Sequence, residues 1–225
     1  MKDSKPVDAS ACAAGAETLR SLLSGAVDQR NPDARLFAML VAARASRNEL
    51  ALLGLSHAQL TRLLAPHFPA LSRDVAAALA APFIVRSLPP AHATFVATLH
   101  ALLMRDIGAA VAVDDADCVA SIVAHACLRG DHLWRDLGLD SRDAVAAMLD
   151  RYFPAVAARN VDQLRWKKFL AQEAAASLGL PPEPAPGCPG CEDFPVCFPR
   201  SDSRSRRLRG CVASVRSAAT RSISP

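Results

Sequence analysis

The chain is poor in aromatic residues and has no long uninterrupted apolar stretch, and both absences restrict its fold. Aromatic side chains make up 5% of the 225 residues, whereas apolar residues make up 51% and are dominated by Ala and Leu. Because strands are enriched in Val, Ile, Thr and aromatic residues, this composition favours packed helices over a sheet. The longest apolar run, Val75–Val85, contains Pro82 and is too short to span a bilayer.

Two further absences bear on compartment and activity. The N-terminal segment has no compact apolar core of the kind that secretory signals carry, so we expect a cytoplasmic protein. In a reducing compartment, seven cysteines are more typical of metal or redox chemistry than of disulfides. The sequence has no nucleophile–base pair, glycine-rich phosphate loop or dinucleotide fingerprint, and this argues against a conventional enzyme.

The positive charge of the chain lies at its C-terminal end. The formal net charge is +4, but seven Arg and one Asp from Pro199 to Pro225 carry +6, which leaves −2 for the rest. A Ser- and Arg-rich segment has little to bury, so residues 200–225 are predicted to form a disordered basic tail. Such a tail could contact nucleic acid electrostatically, although a solvated extension without a specific partner is the commoner meaning.

Helix-start and helix-stop signals predict an all-α domain over residues 10–180, after a flexible N-terminus at residues 1–9. Ser56 and Gln59 have the spacing of a capping box at the start of one helix. Asn160 is predicted to cap a helix over Val161–Leu178, with Gly179 as its C-terminal cap. No segment shows the apolar alternation typical of a strand.

Two stretches of the predicted domain resemble each other. Leu53-Gly54-Leu55 is followed, after twelve intervening residues, by Phe68-Pro69-Ala70. Leu137-Gly138-Leu139 is followed, after thirteen intervening residues, by Phe153-Pro154-Ala155. A predicted helix joins the glycine to the Phe-Pro pair in both, and we therefore expect two similar helical units within one domain.

A cluster of cysteines follows the predicted helices. Cys188, Cys191 and Cys197 have the pattern C-x2-C-x5-C, and Pro189-Gly190 between the first two predicts a type II turn. Such a turn directs two thiolates towards one centre, and the surrounding prolines exclude a continuous helix. We interpret residues 181–199 as a Cys-rich metal-binding knuckle, in which the three cysteines are the cofactor and metal ligands.

Several motifs around the cysteines resemble those of the NifQ family. They are HLWRDLGL at residues 132–139, Tyr152-Phe153-Pro154, Ala158-Arg159-Asn160 and RWKKF at residues 165–169, in this order and upstream of the knuckle. The resemblance covers Asp131 to Phe198, and more loosely the helices from about Leu36. It implies an iron–sulfur cluster with molybdenum, carried for nitrogenase iron–molybdenum cofactor assembly, and no catalytic residues. The implied partners are the cofactor-assembly scaffold, the nitrogenase iron protein, and molybdate or another molybdenum source.

The chain departs from the family pattern at one ligand position. That pattern is C-x4-C-x2-C-x5-C, and its first cysteine is replaced here by Glu183. Each iron of a cluster needs a terminal ligand, so three thiolates leave one corner of a cubane open. Glu183 could supply an oxygen there, Cys211 could supply a fourth thiolate, or the site is degraded.

Other assignments of these residues are open. A structural zinc knuckle in a helical interaction module, with the basic tail on nucleic acid, is the alternative function. Cys127, between His125 and His132, could join a second metal site, although a small buried apolar role is commoner for a helical cysteine. Arg165, Lys167 and Lys168 could attract molybdate or an acidic partner, or form a solvated helix face; they are part of RWKKF.

Overall fold

The computed structural model of the protein describes residues 9–199, except residues 82 and 84–86. Residues 1–8 of the predicted flexible N-terminus, and the whole predicted basic tail with Cys211, lie outside the described residues. Within the part that is described, all regular secondary structure is helical and no strand is present, so the all-α prediction is confirmed.

The described residues form eleven α-helices and two short 3₁₀ helices, the latter at Leu50–Leu53 and Cys188–Gly190. The α-helices are α1 (Ala9–Ser24), α2 (Pro32–Ala45), α3 (His57–His67), α4 (Arg73–Ala80), α5 (Pro90–Leu103), α6 (Val113–Ala126), α7 (Leu133–Leu137), α8 (Arg142–Tyr152), α9 (Pro154–Ala158), α10 (Trp166–Ser177) and α11 (Phe194–Cys197). None of the helices in these described ranges is both long and apolar enough to cross a membrane.

The chain divides into two compact units, Met1–Cys191 and Glu192–Pro225. Helices α1–α10 belong to the first unit, and α11 is the regular element in the described part of the second. The sequence-based boundaries at residues 9, 180 and 199 stay predictions.

Helix α6 is the centre of the first unit. It packs against α3, α5 and α7 and against the 3₁₀ helix at Leu50–Leu53, and most of its side chains are buried. Because contacts arise on several sides, α6 is apolar around most of its circumference. The largest fully buried side chains of the core are Tyr152, Phe37, Phe153, Leu22, Leu40, Leu55, Leu60, Leu99, Leu103, Ile122, Leu137 and Leu149.

The structure confirms two helix ends that the sequence predicted from residues close to them in the chain. Ser56 Oγ accepts from Gln59 N, and the Gln59 side chain returns to the Ser56 N–H, so the capping box is confirmed. Gly179 adopts a positive φ of 67° after α10, as predicted for its C-terminal cap.

One predicted helix start was wrong. The helix expected at Val161 begins at Trp166, because Asn160 closes a loop instead of capping a helix. Its side-chain Oδ1 accepts from Leu164 N at 2.8 Å, and its Nδ2 donates to Leu164 O at 3.0 Å. Gln163 inside this loop has a φ of 50°, which is incompatible with a right-handed helix.

The two stretches that resemble each other in sequence also share their local conformation. Gly54 and Gly138 both end a short helix in the left-handed region, with φ of 72° and 74°. Each is followed by an eleven-residue helix, α3 or α8. These helices end at Phe68 (φ −134°, ψ 59°) and Phe153 (φ −139°, ψ 61°), which are nearly the same backbone conformation.

A carboxylate at the start of α2 joins that helix to α8. Asp33 Oδ1 accepts from Arg151 Nε and from the Tyr152 hydroxyl, both at 2.7 Å, and Oδ2 accepts from Arg151 Nη2. Burial alone would raise the pKa of Asp33, but hydrogen bonds from Arg151 and Tyr152 stabilise the anion and lower its pKa overall. The folded state therefore favours ionised Asp33.

Replacing Asp33 with Asn should reduce the free energy of unfolding by about 1–3 kcal/mol at pH 7, because charged hydrogen bonds are lost. Since the pKa of Asp33 is lowered on folding, its contribution is full above the unfolded value of about 3.9 and is lost as pH falls further. Urea titrations at pH 7 and pH 3 should show the difference shrinking in acid. Asn at the exposed Asp28 is the control, and a deficit that does not change with pH would contradict the prediction.

Candidate metal centre

The first two cysteines of the knuckle lie at the ends of a single tight turn. Cys188, Pro189 and Gly190 form a 3₁₀ helix that Cys191 N–H closes by donating to Cys188 O at 2.9 Å. The predicted type II turn is wrong in form, because Gly190 does not have the positive φ that this type requires at its third position. The predicted proximity of Cys188 and Cys191 holds. Cys188 is buried and Cys191 is half-buried.

Cys197 lies in the second unit, at the end of α11. Val196 N and Cys197 N both donate to Asp193 O, and the rings of Phe194 and Phe198 lie 5.2 Å apart on this short helix. Among the described residues, no three His, Cys, Asp or Glu side chains are grouped closely enough to hold a single metal ion. The three-cysteine site of Cys188, Cys191 and Cys197 stays a prediction.

The knuckle rests, backbone on backbone, on the turn that follows α6. Gly187 N donates to Cys127 O at 3.0 Å. A Cβ atom at Gly187 would lie only 1.8 Å from Arg129 O, so no other residue fits there without displacement of the chain. Further along, a Cβ atom at Gly190 would lie 2.9 Å from the Cα atom of Gly130. The position of Cys188 is therefore fixed by its attachment to residues 127–130.

The turn after α6 is stabilised by the buried ammonium group of Lys167. Lys167 is 6% exposed, and its Nζ donates to Arg129 O at 2.7 Å, to Asp131 O and to Asp136 Oδ2 at 2.5 Å. Three acceptors use all three donors of an ammonium. The interpretation of Lys167 as an attractor of molybdate was wrong for this reason, whereas the same interpretation of Arg165 and Lys168 stays a prediction.

Asp136 accepts hydrogen bonds from the other groups around Lys167. Its carboxylate also accepts from Arg129 Nε at 3.3 Å and from Asp131 N at 3.2 Å. Its backbone oxygen accepts from Arg44 Nη2 at 2.5 Å and from Arg129 Nη2. Burial, followed by the repulsion of Arg44, lowers the pKa of Arg129 to about 10, so this guanidinium is charged at neutral pH. Asp136 of HLWRDLGL and Lys167 of RWKKF thus stabilise the turn against which Gly187 and Gly190 pack.

Two other cysteines are buried in the first unit, in opposite surroundings. Burial raises the pKa of Cys118 to about 12, and the carboxylates of Asp117 and Asp115 raise it further. Burial also raises the pKa of Cys127 to about 12, but here Lys167 and Arg129 favour the thiolate and Cys188 opposes it. The sequence alone does not show this difference, because the charge around a side chain depends on the tertiary fold.

The histidine beside Cys127 does not complete a second metal site. His125 Nδ1 donates a hydrogen bond to Ser121 O at 2.8 Å. Burial lowers the pKa of the His125 ring. His125, Cys127 and His132 do not form a group that could hold a metal ion, and the described part of the chain contains no such group of three.

Glu183, which stands at the position of the family's first cysteine, is an exposed residue of the first unit. It lines a cavity of about 590 Å³ between α5 and α10, together with His92, Phe95 and Pro186. Apolar side chains form most of the cavity wall, so nothing in this cavity marks Glu183 as a metal ligand.

The described residues define a helical protein in which the turn between Cys188 and Cys191 packs against the core of the first unit. Comparison with known proteins gives its family. The NifQ family model matches residues 34–199, which is more than half of the chain. The chain therefore belongs to the NifQ family, as the motifs indicated.

Curated relatives agree with this family. The chain is 48% identical over 80 residues to "Protein NifQ" of Azotobacter vinelandii, in a match covering 36% of the chain and 41% of the relative. It is 38% identical over 94 residues to "Protein NifQ" of Rhodobacter capsulatus, covering 40% and 50%. The chain thus spans half or less of the length of these relatives. No solved structure matches significantly.

Proposed function

We propose that this chain carries an iron–sulfur cluster containing molybdenum and donates molybdenum to nitrogenase iron–molybdenum cofactor biosynthesis. The observation that supports this most is the tight turn that joins Cys188 to Cys191 and rests on the core of a NifQ-family protein. We propose the cytoplasm as its compartment, and the cofactor-assembly scaffold, the nitrogenase iron protein and a molybdenum source such as molybdate as its partners.

The donor set of the turn fits a cluster of this kind. Thiolates are the usual terminal ligands of iron–sulfur clusters, and a buried thiolate needs nearby positive charge. Cys188 is buried, and the cationic groups of Arg129 and Lys167 lie on the segment and helix that support its turn. We assign Cys188 and Cys191 as ligands, with Cys197 as the third on its sequence spacing. A bound cluster supplies the sulfur-rich metal environment in which molybdenum is carried.

The remaining role of the chain is to bind and to release. A carrier works through coordination, because the number of ligands sets how tightly a metal is held and how readily it leaves. The burial of Cys188 keeps one side of the site away from water, while the half-buried Cys191 leaves access for an acceptor. We therefore describe the protein as a metallochaperone-like carrier rather than an enzyme.

Metal analysis tests this proposal. Anaerobically purified protein should contain about three to four iron and sulfide per chain, as a cubane requires, and molybdenum with them. Cys191→Ala should lose iron, sulfide and molybdenum together, whereas Cys118→Ala should retain them, because Cys118 lies among carboxylates on α6. Stoichiometric zinc without sulfide, even after cluster reconstitution, would overturn the carrier and favour the structural zinc module.

A further inference from the structure

A groove on the surface of the first unit runs along one face of α8. It encloses about 760 Å³, which is within the usual range of ligand pockets, roughly 300–1,000 Å³. Asp143, Ala146, Ala147 and Asp150 line this side of it. The last three follow Asp143 by three, four and seven positions, so all four share one side of the helix. This groove, the α8 groove, therefore has small residues in its middle and a carboxylate at each end.

The opposite wall of the α8 groove is held in shape by its own hydrogen bonds. Ala157 of α9, Gln163 and Trp166 lie on it. The two hydrogen bonds between Asn160 and Leu164 close the loop that carries Gln163, whose φ of 50° belongs to this loop. A preformed wall lowers the ordering cost of binding, and the half-buried indole of Trp166 offers a face to a cation.

The two carboxylates of the α8 groove lack cations of their own. Asp143 and Asp150 are exposed, and in the described part of the chain neither carboxylate has an ion pair or a hydrogen bond. Arg151, the neighbour of Asp150, is paired with Asp33 instead. Arg142 also lines the groove, so one cation and two carboxylates give its lining a net charge of 1 − 2 = −1.

We propose that the α8 groove is a docking site for an extended basic segment of a partner protein. Its free carboxylates attract cations and repel the phosphates of nucleic acids. Because Asp143 and Asp150 are seven helical residues apart, they are separated by about 10 Å along α8. Basic side chains three positions apart in a polyproline II segment lie about 9 Å apart on one side, which matches this separation. The contact is independent of the metal centre and adds a basic partner to the proposed function.

Binding of a designed peptide to the full-length protein tests the proposal. The probe is acetyl-Gly-Arg-Pro-Pro-Arg-Gly-amide, labelled for fluorescence anisotropy, and its neutral control has citrulline in place of both arginines. The wild type should bind the probe but not the control, and less tightly when NaCl is raised from about 0.05 to about 0.5 M. Asp143→Asn and Asp150→Asn should each weaken binding about threefold, and together about tenfold, because each removes one exposed ion pair.

Asp74→Asn is the matched control, because Asp74 is also exposed in the first turn of a helix, α4, but lies outside the groove. This variant should bind the probe as the wild type does, and circular dichroism should show the same helical content in all variants. Wild-type affinity in the double variant of Asp143 and Asp150, or equal binding of the citrulline peptide, would overturn the proposal. So would the absence of binding to the wild type up to about 1 mM probe.

Tryptophan fluorescence locates the bound peptide. In a Trp134→Phe background, the probe should change the emission of Trp166, and unchanged emission at saturation would place the peptide elsewhere and overturn the proposal. If the probe binds only after Arg206, Arg207 and Arg209 are replaced by Gln, the occupant is the chain's own basic segment and not a partner. A dimer in sedimentation that dissociates when both groove carboxylates are replaced would make the occupant a second copy, which also overturns the proposal.

Discussion

Replacement of Asp136 by Ala should lower the free energy of unfolding of the apoprotein by about 3–5 kcal/mol, the usual cost of leaving a buried charge without its partner. Asp136 is 8% exposed and its carboxylate is bonded to the buried ammonium of Lys167 and to Arg129. Without that carboxylate, two cations face each other in the protein interior. We expect this to be among the most damaging changes outside the apolar core.

Urea unfolding followed by circular dichroism measures the effect. In the Asp136→Ala background, Lys167→Met should cost less than it does in the wild type, because the ammonium has already lost its anion. Arg135→Ala is the matched control, since its ion pair with Asp131 is about half exposed and contributes less than about 1 kcal/mol. A loss for Asp136→Ala no greater than that for Arg135→Ala would contradict the buried-network account.

This network gives the family motifs a structural meaning. Asp136 lies in HLWRDLGL and Lys167 lies in RWKKF, and the hydrogen bond from Lys167 to Arg129 O fixes the turn on which Gly187 rests. These two motifs are therefore connected by hydrogen bonds to the segment that precedes Cys188. Asp136 and Lys167 thus stabilise the turn against which the residues beside Cys188 pack.

Local signals in the sequence were sufficient for much of the fold. The capping box of Ser56 and Gln59 and the C-terminal cap at Gly179 involve only residues that are neighbours in the chain. Their roles were therefore predictable from spacing. Asn160 was misread because the same side chain can cap a helix or close a loop, and its two bonds to Leu164 select the loop. The positive φ of Gln163 has no strong sequence signal.

The support of the candidate site was beyond sequence reasoning. The residues of the knuckle were evident from their spacing, but their attachment to Cys127 and Arg129 joins segments about sixty residues apart. Lys167 looked like a surface charge because two of its three acceptors are backbone oxygens, which a sequence does not display, and the third belongs to a residue 31 positions away. The exclusion of side chains at Gly187 likewise depends on a tertiary contact.

Gly187→Ala should strongly weaken metal binding by the knuckle while leaving the helical content unchanged. The added Cβ would lie 1.8 Å from Arg129 O and 2.5 Å from its carbonyl carbon, so the loop must move away and lose the bond to Cys127 O. Overpacking of this kind costs about 1–3 kcal/mol, which is small against the stability of most domains, so the fold should survive. The expected result is a loss of cluster iron, and of Co²⁺ binding, by at least about tenfold.

Gly179→Ala separates displacement of the knuckle from general damage. Gly179 has a φ of 67°, so alanine there is strained by about 1–2 kcal/mol, but no other atom lies within 4 Å of the added carbon. The two variants should therefore be similarly destabilised, and only Gly187→Ala should lose metal. If Gly187→Ala binds Co²⁺ as the wild type does, the thiols do not depend on the turn after α6. The core would then have no part in holding the metal, and ligation would be a property of the loop alone.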